Sequence, residues 1–233
     1  MRYQGSKAKF AKEMLRYILP YRRDGQWWVE PFCGSCSVTQ HVIGNRIASD
    51  NNRYLIAMWQ ALQNGWMPPT DVSEEEYKAI KNDKDAYPPE LVAFVGVAVS
   101  FGGKWFGGYA RSHDRVNHAG QGYRSLLKQT SSLLGVLYSH NSYDQLEIPP
   151  HSLIYCDPPY ADTAKYHKGF DHTSFWSWVR EKCREGHLVF VSEYDAPSDF
   201  ESIWDYTRPS MMDKKSYNKA YTERLFVWKK VSR

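Results

Sequence analysis

The stretch "IYCDPPYAD", residues 154–162, decides how the chain is read. Its opening residues are apolar enough for a buried strand. Two consecutive prolines can neither donate to a ladder nor continue a helix, so the strand stops there. What remains is a stiff turn with a carboxylate, Asp157, before it and a phenol, Tyr160, behind it. A flat heterocycle with an exocyclic NH2 suits such a turn. Its two amino hydrogens need two acceptors, and the Asp157 carboxylate and the Pro158 carbonyl supply them. Proline fixes that carbonyl and has no N–H to compete. Tyr160 offers a ring on which a base can stack. Drawing both hydrogens into bonds favours a pyramidal nitrogen, whose lone pair becomes available for attack. The plainer reading is a strand-ending turn, but an acid before it and an aromatic after it favour the chemical one.

The rest of the chain sets bounds. A length of 233 residues suits one large domain or a core with an insertion, and 42% hydrophobic residues can build that core. No apolar run is long enough to span a bilayer. The start, "MRYQGSKAKF", is basic but has no signal-peptide apolar stretch, so the expected setting is cytoplasmic. Cys33 and Cys36 form a C-x-x-C pair, which raises zinc or redox chemistry. Cys156 and Cys183 are isolated, and no His stands at a finger spacing, so small buried cysteines and no metal are expected. The net charge of +4 is compatible with nucleic acid without requiring it. Aromatics mixed with Arg and Lys suit base stacking beside phosphate contacts, although most of the nine tryptophans are expected in the core.

Periodicity predicts strand, turn, helix, strand, helix over residues 26–63, the rhythm of a parallel sheet with crossover helices. A helix at 7–17 precedes it, with Phe10, Met14 and Ile18 on one face and Pro20 ending it. The Gly/Ser-rich turn "CGSCS" is expected to lead into a helix over 38–43. Between 65 and 143 the pattern shows helices and no clear strand, including a capping box at Ser73 and Glu76 and a buried helix in "PELVAFVGVAVSF". The glycine-dense, basic and aromatic stretch 102–124 reads as loop. Strands return at 152–157 and 187–193, with a helix at 173–184 between them. Two closing strands are expected at 203–207 and 223–230.

Ligands gather at the carboxyl ends of strands in open α/β sheets. The Gly34 turn lies at one such end but lacks the full G-x-G-x-x-G, which disfavours a dinucleotide and leaves a smaller adenosine-type ligand. Asp50 ends the next strand, where an acid can accept from both ribose hydroxyls. Its alternative role is to cap the following helix.

Together "RYQGSK" at 2–7, "EPFCGSCSV" at 30–38, "ASD" at 48–50, "IYCDPPY" at 154–160 and the late "ERLFVW" resemble the Dam-type (D12 class) DNA adenine-N6 methyltransferases. The resemblance spans nearly the whole chain except the insertion. It implies S-adenosylmethionine as cofactor and an α/β, Rossmann-like methyltransferase sheet with a mainly helical target-recognition insertion. The catalytic domain would comprise residues 1–64 and 141–233, and the insertion residues 65–140. By carry-over, Asp157, Pro158 and Tyr160 are catalytic. Tyr3, Gly5, Lys7, Phe32, Gly34, Ser35, Asp50, Ser142, Tyr143 and Asp157 line the cofactor. Cys36 stands where many relatives have a second glycine.

The implied partner is double-stranded DNA, whose target adenine must leave the stack to be reached. Lys104, Arg111, Arg115 and Arg124 are the expected phosphate or base-edge contacts, and Trp105, Phe106 or Tyr109 the expected wedge. Residues 161–176 suggest a loop that closes over the base, with His167 and Lys168 against DNA. Two alternatives stay open: a protein-glutamine N-methyltransferase, which typically has Asn in place of this acid, and a catalytically silent nucleic-acid-binding relative. A phage, a restriction-modification system or host housekeeping would each suit a compact enzyme of this kind.

Overall fold

The structure, a computed structural model, describes residues 1–111, 116–160, 170–207 and 222–229. Its centre is a seven-stranded sheet. In chain order the strands are β1 (Trp28–Glu30), β2 (Arg46–Ser49), β3 (Leu137–Ser139), β4 (Leu153–Cys156), β5 (Leu188–Glu193), β6 (Phe200–Thr207) and β7 (Thr222–Trp228). Their spatial order is β3-β2-β1-β4-β5-β7-β6. The first five run parallel, and β7 enters antiparallel between β5 and β6. This is the Rossmann-like methyltransferase sheet that the resemblance implied.

Strict alternation along the strands builds two faces. Trp28, Leu153, Tyr155, Phe190 and Leu225 pack on one side with Phe10, Met14 and Ile18, the last two from helix α1 (Ala11–Ile18). Val29, Ile154, Cys156, Val189, Val191 and Phe226 pack on the other, against Phe175, Trp178 and Val179 of α6 (His172–Arg184). A third cluster joins Cys33, Cys36 and Ala48 to α2 (Arg53–Gln63), α4 (Pro89–Ala98) and α5 (His118–Leu133). The helices of the 65–140 segment, with α3 (Glu74–Asn82) behind its Ser73–Glu76 capping box, thus share a core with the sheet rather than forming one of their own.

Four expectations need correction. The helix over 38–43 is only a single 3-10 turn, Thr39–His41. Gly44 follows it at φ 83°, and the Glu30 carboxylate takes the orphan Thr39 amide at 3.0 Å. A helix that short cannot recover its nucleation cost. Second, β3 lies inside the segment read as mainly helical with no clear strand, so that segment contributes one strand to the sheet. Third, α5 begins at His118, inside the stretch read as loop, with Asn117 as its cap. Its glycines have a packing reason: a Cβ on Gly122 would lie 2.7 Å from the Ala98 Cβ, where α5 crosses α4. Fourth, α1 starts at Ala11 rather than at Lys7, because Lys7 turns inward, its amide donating to Ser37 Oγ at 3.2 Å.

Candidate active site at the carboxyl edge of the sheet

Four strands deliver side chains to one edge. β2 ends at Asp50, β1 at the Cys33–Cys36 turn, β4 at Asp157 and β5 at Glu193. β7 adds Glu223, and the N-terminal segment adds Tyr3 and Lys7 across the top.

Lys7 is the hub. Only 5% of its surface is exposed, and its Nζ lies 2.9 Å from Asp157 Oδ1, 2.6 Å from the Tyr160 hydroxyl, and in contact with Glu223 Oε1. Burial opposes the ammonium charge, but the two carboxylates outweigh it and hold the Lys7 pKa above its ordinary value. Asp157 keeps a fifth of its side chain exposed. Burial pushes its pKa up to about 6, with Lys7 pulling it down and Glu223 pushing it further up. Pro158 is buried beside it. The Tyr160 hydroxyl donates to Glu223, and the ring meets Tyr194 edge-on with centroids 4.7 Å apart. Tyr160 is therefore packed inward, rather than standing open as the platform expected from the sequence. Lys7, expected at the methionine end of a cofactor, is committed to the acids.

Asp50 binds two backbone amides, Gly34 N–H and Asn52 N–H, each at 2.9 Å. It ties the Gly34 turn to the end of β2 and is not the helix cap; Asn52 caps α2 through the Tyr54 and Leu55 amides. Each Asp50 oxygen accepts one of these bonds, and an ionised carboxylate has about four lone-pair sites, so acceptor capacity remains. Gly34 sits at φ 42°, and a Cβ there would come within 3.0 Å of the Tyr3 ring. Its carbonyl accepts from Trp59 Nε1 at 2.9 Å. Gly5, at φ 83°, has open space where a Cβ would stand, with nothing within 4 Å, so conformation rather than room favours glycine there. Ser35 is buried, donating to Ser6 Oγ at 3.3 Å, while its carbonyl accepts from Gln129 at 2.7 Å. Phe32 stacks on Tyr143 at 5.5 Å, and Ser142 donates to Asp144. The two rings are too close for a base to enter between them, so they form a floor rather than a slot.

Cys33 and Cys36 are buried and unbridged. Cys36 has φ 50°, a conformation that favours glycine. Its thiol is enclosed with Cys33 and Tyr138 in the helical cluster. No group of three potential metal ligands occurs among the described residues.

The expected DNA-contacting residues divide. Arg111 is exposed and forked onto Glu74, with Nε 3.0 Å and Nη2 2.5 Å from its two oxygens. Arg124 is exposed on α5, and Lys104 is half-buried. Trp105, Phe106 and Tyr109 are structural instead. Trp105 packs on Tyr54 and Phe106, and the Tyr109 hydroxyl donates to the Val72 carbonyl. Phe101 is the ring that stands out, 70% exposed, on a turn with Gly102 and Gly103 at positive φ. Arg115, His167, Lys168 and residues 161–169 of the closing loop lie outside the described residues.

Sequence reasoning missed Glu223 and Glu193. Glu223 sits within "ERLFVW", and its inward position follows from the alternation of that strand. Glu193 ends a strand at the same edge as Asp157, and that placement was the signal for it.

These features define a methyltransferase fold with a carboxylate site. Residues 3–91 match the model of the D12 class N6 adenine-specific DNA methyltransferase family. Two solved structures are similar to it. One is HI0767 from Haemophilus influenzae, described as a candidate methylase, at 10% identity and TM-score 0.39 over 93% of this chain and 86% of that one. The other is SMU.472, a candidate methyltransferase solved with SAH, at 12% identity and TM-score 0.38 over 97% of this chain. The match covers 54%, about half, of that second protein. No helix among the described residues is long and apolar enough to cross a membrane.

Proposed function

We propose that this protein transfers a methyl group from S-adenosylmethionine to the exocyclic N6 of an adenine extruded from double-stranded DNA. The observation that carries the reading is Asp157. It is a partly exposed carboxylate at the end of β4, followed at once by a buried proline and held by a buried lysine.

The residues present fit the cofactor. Asp50 retains acceptor capacity for a ribose, Gly34 leaves backbone bare beside Tyr3, and the Phe32–Tyr143 floor suits an adenine face. When bound, the cofactor supplies an electrophilic methyl on a sulfonium. Asp157 Oδ and the Pro158 carbonyl accept the two N6 hydrogens, freeing the nitrogen lone pair. Asp157 must be ionised to do so, and Lys7 favours that form. The same carboxylate is placed to take the proton that the nitrogen sheds after transfer. The rate then comes from positioning rather than from a covalent enzyme intermediate. The exposed Arg111 and Arg124, with Lys104 and Arg115, are the proposed phosphate and base contacts of the 65–140 segment.

The test is transfer of tritium from labelled S-adenosylmethionine into adenine-containing duplex. Label in N6-methyladenine supports the reading. Label in protein but never in DNA supports a glutamine methyltransferase instead, and cofactor binding without transfer supports a silent relative.

A further inference from the structure

Glu193 is the buried acid that the chemistry above does not use. Only 3% of its surface is exposed. Its Oε1 accepts from the Tyr194 amide at 3.0 Å, and its Oε2 has no hydrogen-bond partner among the described residues. The Tyr194 carbonyl is held in turn by the Arg224 guanidinium, and the Tyr194 ring abuts Tyr160. The carboxyl group is therefore fixed on one side and unsatisfied on the other, a costly arrangement for a buried polar atom unless something else completes it.

Its place in the sheet says what does. Cys156 pairs with Val191, so the β4 and β5 ends run side by side, with Asp157 one residue beyond Cys156 and Glu193 two beyond Val191. The elements suited to an adenosine, Asp50 and the Gly34 turn, lie on β2 and β1, on the opposite side of β4. A methyl donor on the β1–β2 side leaves the acceptor the β4–β5 side.

Resting on the reading above, we infer that Glu193 is a further substrate-binding residue, whose Oε2 donates a hydrogen bond to a ring nitrogen flanking the target amine while Asp157 accepts from the amine itself. Such a pair matches adenine and rejects guanine, whose amine at C6 is replaced by a carbonyl. Burial first, then Asp157 and Glu223, keep the Glu193 carboxyl protonated up to about pH 8, against the Tyr194 amide and Lys7, so it is a donor at neutral pH.

The experiment uses the full chain, tritium transfer and duplexes containing adenine, 1-deazaadenine or 7-deazaadenine at the target. Expected is a loss of about tenfold or more in kcat/KM for Glu193→Ala on adenine, with S-adenosylhomocysteine binding and melting temperature close to wild type. One of the two deaza substrates should cost the wild type a similar factor and cost Glu193→Ala nothing further. Glu193→Gln, which keeps an N–H donor, should retain more activity than Glu193→Ala and lose the fall in rate that the wild type shows above about pH 8. Unchanged kinetics in Glu193→Ala, or deaza penalties equal in wild type and variant, overturn the assignment. Loss of S-adenosylhomocysteine binding in Glu193→Gln overturns it too, by moving the residue to the cofactor side. A wild type that methylates no adenine in any duplex overturns the underlying reading, a failure visible before any variant is compared.

Discussion

The Lys7 ammonium lies 2.9 Å from Asp157 Oδ1 and bonds Glu223 at the same time, so one cation serves two acids at the carboxyl edge of the sheet. The ionisation of Asp157 is therefore set by both neighbours.

With Asp157 raised to about 6 by burial, kcat/KM should rise with pH through that value as the carboxylate forms. The linkage has a definite sign. The folded chain holds this proton more tightly than the unfolded one, so the Asp157 contribution to stability falls as pH rises from the ordinary carboxylate range to about 6. Asp157→Ala should lose on the order of 10²–10³ in rate, as when one oriented polar partner is removed, and show no such acid limb. A steady-state pH profile of both proteins checks this.

Glu223 pushes the Asp157 pKa up, so Glu223→Gln should move the acid limb of the rate profile below about 6. The amide oxygen still accepts from Tyr160, which keeps the ring in place. A limb that stays where it was would show that Glu223 is not coupled to the reacting acid.

Lys7→Met leaves the buried Glu223 carboxylate and the largely buried Asp157 carboxylate facing each other without a cation. Breaking a buried pair in this way costs about 3–5 kcal/mol. Urea titration should show that loss at pH 7 and a smaller one at pH 5, where Asp157 protonates and the repulsion eases.

Arg111 and Glu74 form an exposed ion pair, a kind worth little in water. Exchange of the carboxylate for a DNA phosphate is therefore cheap. Arg111→Ala should reduce the slope of log affinity against log salt by about one. Glu74→Gln should strengthen DNA binding by freeing the guanidinium. Fluorescence anisotropy across a salt series measures both.

A Cβ on Gly103, already at φ 70°, would lie 2.8 Å from the Arg2 backbone. Because Gln4 N–H donates to the Gly103 carbonyl at 3.1 Å, displacing this turn drags the segment that carries Tyr3 and Lys7. Gly103→Ala should cost about 1–3 kcal/mol of stability and weaken S-adenosylhomocysteine binding. Gly102→Ala, with nothing within 4 Å of a Cβ, should carry only the conformational part of that penalty.

Much of the architecture was legible because period-2 and period-3.6 patterns survive on well-buried elements. Phe10, Met14 and Ile18 mark α1, and the apolar runs ending at Asp157 and Glu193 mark β4 and β5. β3 was hidden for the opposite reason. It is three residues long, lies at the sheet edge, and its Leu137 is 55% exposed, so no alternation distinguishes it from the end of α5. Asp157 announced itself through the prolines after it. Glu223 and Glu193 have no such punctuation; alternation and a strand end mark them weakly, and the strand order carries them to the edge where Lys7 lies. The aromatic wedge was misread because a Trp-Phe pair beside glycines looks the same whether it packs on α4 or faces solvent. A Cβ on Gly96 would strike both rings within 3 Å, a fact of packing that no local pattern encodes.

The insertion of β7 between β5 and β6 has a consequence for biosynthesis. The last of the described strands occupies an interior position, so β6 has no neighbour in this sheet until β7 arrives. Its Glu223 must reach Lys7, more than two hundred residues earlier in the sequence, before that cation, already beside Asp157, has its second acid. Contacts of such long sequence separation close slowly. A nascent chain stalled before residue 222 would hold the parallel half of the sheet with an open edge at β5, a template for misassociation that disappears only when β7 pairs there.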